Sequence, residues 1–165
     1  MLHQLHQEGH HLVICSGRIK EAIKDLIKQL ELWEAFEYIV AFNGAIVENI
    51  KTGEMLVEQR LDLDDTKMLF NLSYQFDSEL IVYYNKSILS KTEKVHNYST
   101  VSKRGFTTEY ITDSSQIKIA PYKFLYVDES KILDKIEPII KKEYSSKFAI
   151  ARSGQKLLRC KPFWY

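Results

Sequence analysis

Leu12-Val13-Ile14-Cys15-Ser16-Gly17-Arg18 runs straight into Ile19-Lys20-Glu21-Ala22-Ile23, and the reading of this junction decides the fold. Four apolar residues with β-branched Val13 and Ile14 at their centre predict a short buried strand. Apolar residues then return at Ile19, Ala22, Ile23, Leu26, Ile27 and Leu30, at the three-and-four spacing of one helix face. Ser16 therefore stands between the carboxyl end of a strand and the amino end of a helix. Backbone N–H groups and the helix dipole favour an anion at such a junction, and open α/β sheets bind ligands at that edge. Gly17 lets the backbone come close to a ligand. The same place also suits a plain helix cap, so the junction alone leaves phosphate binding and capping both open.

The segment that follows narrows the choice. Ile39-Val40-Ala41-Phe42-Asn43-Gly44-Ala45-Ile46-Val47 reads as a strand, a tight Asn-Gly turn and a second strand. A hairpin then passes through Asn49-Ile50-Lys51-Thr52-Gly53-Glu54 into Met55-Leu56-Val57. The order ICSGR, amphipathic helix, FNGAIV, TGE hairpin and Leu-Asp helix start resembles the haloacid dehalogenase superfamily. Within it the chain is similar to the Cof-type phosphatases, which carry a large α/β cap. The resemblance covers nearly the whole chain in order, and it is the pair of motifs at this spacing that carries it.

The resemblance implies an α/β fold in which residues 1–60 are a partial Rossmannoid core, 61–162 a cap domain, and 163–165 the start of a return to the core. It implies that Ser16 is the hydroxyl that holds the transferring phosphoryl group, with the N–H of Gly17 assisting. Arg18, Asn43 and Gly44 would lie at the substrate-facing rim. Each has a plainer reading: Arg18 as a solvated first-turn residue, Asn43-Gly44 as a turn that needs positive φ. The implied chemistry is Mg2+-dependent hydrolysis of a small phosphorylated metabolite through a phosphoaspartyl intermediate. The family's nucleophile motif, D-x-D-G-T, lies upstream of its SGR segment, yet the eleven residues before Leu12 hold no aspartate. Its lysine and Gly-Asp motifs, which hold phosphoryl and magnesium, lie downstream of the cap, about where this sequence stops. The expectation is an internal stretch of such a phosphatase, with no nucleophile or Mg2+ ligands of its own and inactive alone. The alternative is a non-catalytic binding or interaction module, or an inactive remnant.

Asp62-Leu63-Asp64-Asp65-Thr66 fits D-x-D-x-T literally. No apolar strand precedes it, since Glu58-Gln59-Arg60 does, and apolar residues at 68, 69, 72 and 76 follow at helical spacing. The string therefore reads as a helix start, with Asp64 or Asp65 as N-cap.

From Leu61 onward the pattern is mixed. A helix is expected from Asp64 to about Phe76, then a hairpin of Leu80–Tyr84 and Ser87–Leu89 over Asn85-Lys86, and a short helix from Thr92 to about Tyr98. Residues 99–120 read as turns. Tyr122–Val127 is a clear strand, and a helix follows with Ile132, Leu133, Ile136, Ile139, Ile140 and Tyr144 inward and a kink at Pro138. A last hairpin joins Lys147–Arg152 to Lys156–Cys160. Helices on one side of a mainly antiparallel sheet make an α+β layer.

Composition agrees with a globular chain. Its 165 residues are 45% hydrophobic and 27% charged, with a net charge of +1. That balance predicts no nucleic-acid partner and no anionic membrane partner. Cys15 and Cys160 read as reduced thiols, and the expected location is the cytoplasm. His3, His6, His10 and His11 crowd the start, but no cysteine or carboxylate cluster completes a metal site. Tyr83, Tyr84, Tyr122, Phe124 and Tyr126 read as core. Leu12–Cys15 is expected as a central strand, apolar on both faces. With its other neighbours outside these residues, its edge and the apolar face of the Ile19–Leu30 helix would stand uncovered and invite self-association.

Overall fold

Alternating and helical apolar patterns build two separate sheets. The computed structural model describes residues 1–83, 87–97 and 107–163, which cluster into two compact units, Met1–Gln59 and Arg60–Phe163.

In the first unit, helix α1 (Leu2–Gln7) leads to β1 (Leu12–Cys15), α2 (Lys20–Gln29), β2 (Phe36–Ala41), β3 (Ile46–Asn49) and β4 (Met55–Glu58). The sheet order is β1-β2-β3-β4. β1 and β2 are parallel, with Cys15 opposite Val40, so α2 is the crossover that a parallel pair requires. The remaining pairs are antiparallel hairpins. β1 is an edge strand among the described residues, with Val13 47% exposed, rather than a strand buried on both faces. The helix face behaves differently from the expectation. Ile19, Ile23 and Ile27 are buried together with Ile39 and Ile46, because α2 packs on β2. Only Leu30, just past the helix end, is strongly exposed.

The second unit contains α3 (Leu63–Gln75), β5 (Glu79–Tyr83), β6 (Ser87–Ser90), β7 (Thr107–Tyr110), β8 (Lys123–Val127), α4 (Ser130–Tyr144), β9 (Ala149–Arg152) and β10 (Leu157–Lys161). Its sheet runs β7-β6-β5-β8-β10-β9. Every pair is antiparallel except β6 with β7. Leu69, Phe70, Leu80, Val82, Phe124, Tyr126, Leu133, Ile136, Ile140 and Leu158 form one apolar cluster. Even positions of β8 and β10 therefore face the helices and odd positions the other side. Tyr126 is fully buried, and its hydroxyl donates to the Leu69 carbonyl at 2.6 Å, so β8 is tied to α3 without an unsatisfied polar group.

Four expectations change here. Residues 107–110, read as part of a turn region, form β7, held by parallel pairing of Ser87–Ser90 with Thr107–Tyr110 where local pattern gives no cue. The helix after β8 keeps Leu133, Ile136 and Ile140 inside, but Ile139 is 38% exposed: at 100° per residue it stands beside the buried stripe. Helix α4 is one continuous element through Pro138. The Thr92–Tyr98 helix is a 3-10 turn over Glu93–Asn97. Tyr84, Asn85-Lys86 and residues 98–106 lie outside the described residues.

Leu133→Ala should cost about 2–5 kcal/mol through the cavity it leaves, while Ile139→Ala should stay within about 0.5 kcal/mol. Urea denaturation midpoints of the two variants check the assignment of the two faces.

Candidate functional site

The pairing of β1 with β2 continues past the strand ends. The N–H of Ser16 donates to the Val40 carbonyl at 2.8 Å, that of Asn43 to the Ser16 carbonyl at 3.1 Å, and that of Phe42 to the Arg18 carbonyl at 2.9 Å. Residues 16–18 and 42–43 are thereby laced into one surface at the carboxyl end of β1. To present those N–H groups the chain takes three successive positive φ angles: Phe42 at 51°, Asn43 at 58° and Gly44 at 102°. Asparagine and glycine accept this conformation readily. A phenylalanine does not, and Phe42 is held there with its ring buried. The Asn-Gly pair was legible as a positive-φ turn, but nothing in the pattern marked Phe42.

Gly17 has a steric reason of its own. A Cβ built there would lie 2.7 Å from Asn43 Nδ2 and 2.9 Å from Asn43 Oδ1, inside any real contact. The Asn43 amide rests against the glycine, so the two motifs meet side chain to backbone as well as backbone to backbone.

Ser16 is not the helix cap. Ile19 is the N-cap of α2 and makes no side-chain capping bond. The Ser16 hydroxyl instead accepts the Arg18 N–H at 3.2 Å, and a hydroxyl that accepts still has its proton to donate. The Arg18 side chain is exposed and Arg18 lies before the helix rather than in its first turn; its backbone is engaged on both sides.

One group at this end escaped the sequence reading. Glu48 on β3 is 3% exposed, and its carboxylate holds Lys20 Nζ at 3.2 Å and also Lys24 Nζ. These ion pairs fasten the first two turns of α2 to the sheet. Strand alternation could have found it, since Glu48 shares the inward face with Ile46.

The residues gathered here offer a hydroxyl, amides and a guanidinium, which suit an anion. Mg2+ asks for carboxylate oxygens, and the buried Glu48 is engaged with lysines. Among the described residues no group of three or more His, Cys, Asp and Glu could hold a metal ion. At the amino end, His11 Nδ1 meets Glu37 Oε2 at 2.7 Å, and this hydrogen bond holds the Glu37 carboxyl below its ordinary value. The D-x-D-x-T string is a helix start, but its cap is Asp62 rather than Asp64 or Asp65. Asp62 accepts the N–H groups of Asp64 at 2.8 Å and Asp65 at 3.1 Å, while Asp65 pairs with Lys147 at 2.6 Å. Asp62 wins because its backbone is extended just where the helix begins.

A family model for haloacid dehalogenase-like hydrolases matches residues 1–161. The chain belongs to that family. The resemblance to its Cof-type phosphatases stands with this match. A Bacillus subtilis (strain 168) protein provisionally named a phosphatase is 24% identical over 169 residues, covering 99% of this chain and 59% of its own length. A Streptococcus pyogenes serotype M6 protein, named in the same way, is 28% identical over 164 residues, covering 94% and 58%. The chain thus spans somewhat under two thirds of the length of these relatives. Among solved structures, a haloacid dehalogenase-like hydrolase from Bacteroides thetaiotaomicron superposes with a TM-score of 0.83 at 22% identity, over 98% of this chain and 61% of that one. A subclass IIB sugar phosphatase superposes at 0.73 and 14% identity, over 98% and 60%. The α/β fold with its appended α+β sheet is the fold of this superfamily. No helix among the described residues is long and apolar enough to cross a membrane.

Gly17→Ala should destabilise the first unit by roughly 1–3 kcal/mol, the usual scale of overpacking. Asn43→Gly in the same chain should recover most of that loss, because it removes the clashing amide and keeps a residue suited to φ 58°. Denaturant melts of the single and double variants give the coupling energy. Additive losses would mean that the two loops do not press on each other.

Proposed function

We propose that residues 16–18 and 42–44 are the phosphate-holding part of a Cof-type phosphatase acting on small phosphorylated metabolites. The Ser16 hydroxyl and the Gly17 N–H take the oxygens of the phosphoryl group, and Arg18, Asn43 and Gly44 border the substrate. What supports the reading most is the lacing of the two loops by the three cross-loop hydrogen bonds. A plain turn and a plain cap would have no need to be joined, and the strain at Phe42 would be without purpose. Membership of the hydrolase family and the likeness to a subclass IIB sugar phosphatase point to the same substrate class.

The role of this surface is electrostatic. Hydrogen-bond donors fixed before the reaction stabilise charge on a transferring group without reorganising. The phosphoaspartyl route that the family resemblance implies uses a carboxylate nucleophile, and the D-x-D-x-T aspartates are engaged as a cap and in an ion pair. Hydrolysis therefore depends on groups other than these. The same holds for Mg2+, for which this group of residues supplies no carboxylate.

Inorganic phosphate should shift the amide resonances of Ser16, Gly17, Arg18 and Ile19 with an affinity in the millimolar range, on the order of −4 kcal/mol. Ser16→Ala should weaken that binding several-fold. The 165-residue chain should hydrolyse p-nitrophenyl phosphate with Mg2+ at no more than background, since loss of a catalytic nucleophile costs on the order of 10⁴ to 10⁶ in rate. Amides that stay unmoved at saturating phosphate would reduce Ser16 to a turn residue. Turnover abolished by Asp62→Ala would give the string its catalytic reading back.

A further inference from the structure

Two lysines converge on one buried carboxylate in the first unit, and charge balance leaves one of them in excess. Glu48 is 3% exposed, and Lys20 and Lys24 both reach it from α2. The two contacts differ. Lys24 Nζ donates a hydrogen bond to Glu48 Oε1. Lys20 Nζ lies 3.2 Å from Oε2 but off the hydrogen-bonding direction, and the buried Oε2 accepts no hydrogen bond among the described residues. Lys28, one turn beyond Lys24, sits over the Trp33 ring at 5.0 Å. Of these three lysines, Lys20 has the loosest hold.

Its place in the helix is unusual as well. Lys20 is the first residue of α2, where the helix dipole disfavours a cation. A long helical side chain leans toward the amino end of its own helix, here the end at which residues 16–18 are laced to the loop after β2. Lys20 is one turn, about 5.4 Å along the axis, nearer that end than Lys24. The register sets Glu48 opposite Ile39 and Ile39 opposite Ile14, and Ser16 follows Ile14 by two residues, about 7 Å along the strand. A buried charge becomes costly when its only partner leaves. Because Lys24 stays, Lys20 can move off Glu48 without stranding the carboxylate. One lysine is enough to pair Glu48, so a second, set against the helix dipole, calls for another counter-charge.

We propose that Lys20 is a further anion-contacting residue of the phosphate-holding site and that Glu48 is the residue that positions it. Without a ligand, Lys20 rests on Glu48. A phosphoryl group held by Ser16 and Gly17 draws the ammonium across as a charge-assisted donor, while Lys24 keeps the carboxylate paired. This role rests on the phosphate-holding reading of residues 16–18 and 42–44, and the two fail in different ways.

Sodium phosphate is titrated into the 15N-labelled 165-residue chain, with ionic strength held constant by sodium chloride, and the Ser16–Ile19 amides report the affinity. Lys20→Met should weaken binding roughly three- to fivefold, the scale of a partly exposed ion pair, with an unchanged urea midpoint because Lys24 still pairs Glu48. Glu48→Gln should move the two readouts in opposite directions: phosphate binds several-fold more tightly as Lys20 is released, while the urea midpoint falls. Lys24→Met should weaken phosphate, since Lys20 is then needed at Glu48. Lys28→Met, the control for general charge, should leave the affinity as it is. Amides that move in the wild type and keep their affinity in Lys20→Met overturn the role of Lys20 and leave the phosphate reading standing. So does an equal loss of affinity in Lys28→Met, or a loss in Lys20→Met that comes with a lowered urea midpoint. A Glu48→Gln variant that weakens both readouts makes Glu48 a structural residue and overturns its positioning role. Amides unmoved in the wild type remove the phosphate reading, and the role of Lys20 with it.

Discussion

Three backbone hydrogen bonds, donated by Ser16, Phe42 and Asn43, join the end of β1 to the end of β2, and the candidate site exists because they do. At about 1 kcal/mol each, together they outweigh the roughly 1–2 kcal/mol by which a left-handed conformation penalises a residue such as Phe42. The balance favours the laced form without a large margin. The buried Phe42 ring and the Glu48 ion pairs add to it, one by removing apolar surface from water and the other by fixing the first turns of α2. Gly17 completes the constraint, since any side chain there would push Asn43 away. Hydroxyl, amide and arginine are thus brought to one sheet edge by backbone geometry rather than by side-chain contacts.

This explains what could be read from the sequence and what could not. Short-range rules carried β1, α2, the Asn-Gly turn, the β3–β4 hairpin and the clear strand β8, because each is written in residue type and spacing over a few positions. The SGR and FNG segments were legible as a pair only through the resemblance to a family. Their physical contact, a glycine against an asparagine amide 26 residues on, is a tertiary fact. Phe42 was missed because its strain is imposed by partners in the other loop. Strand β7 was missed because Thr107–Tyr110 has little apolar alternation and is held by pairing with β6. The uncovered helix face did not materialise, since Ile23 and Ile27 find their partners on the four-stranded sheet.

The two units use charge in different ways. In the first, a buried carboxylate is matched by two lysines, and the anion-friendly surface is made of neutral donors with Arg18 beside them. In the second, Arg152 on β9 joins Asp134 and Glu137 of α4, and Lys147 joins Asp65 in the first turn of α3.

A crystal structure of the chain grown with tungstate, a heavy tetrahedral stand-in for phosphate, tests the central claim most directly. The account expects tungstate density against the Ser16 hydroxyl and the Gly17 N–H, with the bonds from Phe42 and Asn43 to the 16–18 loop intact. Tungstate absent from that edge at full occupancy elsewhere, or a Ser16 hydroxyl turned away from it, would contradict the account.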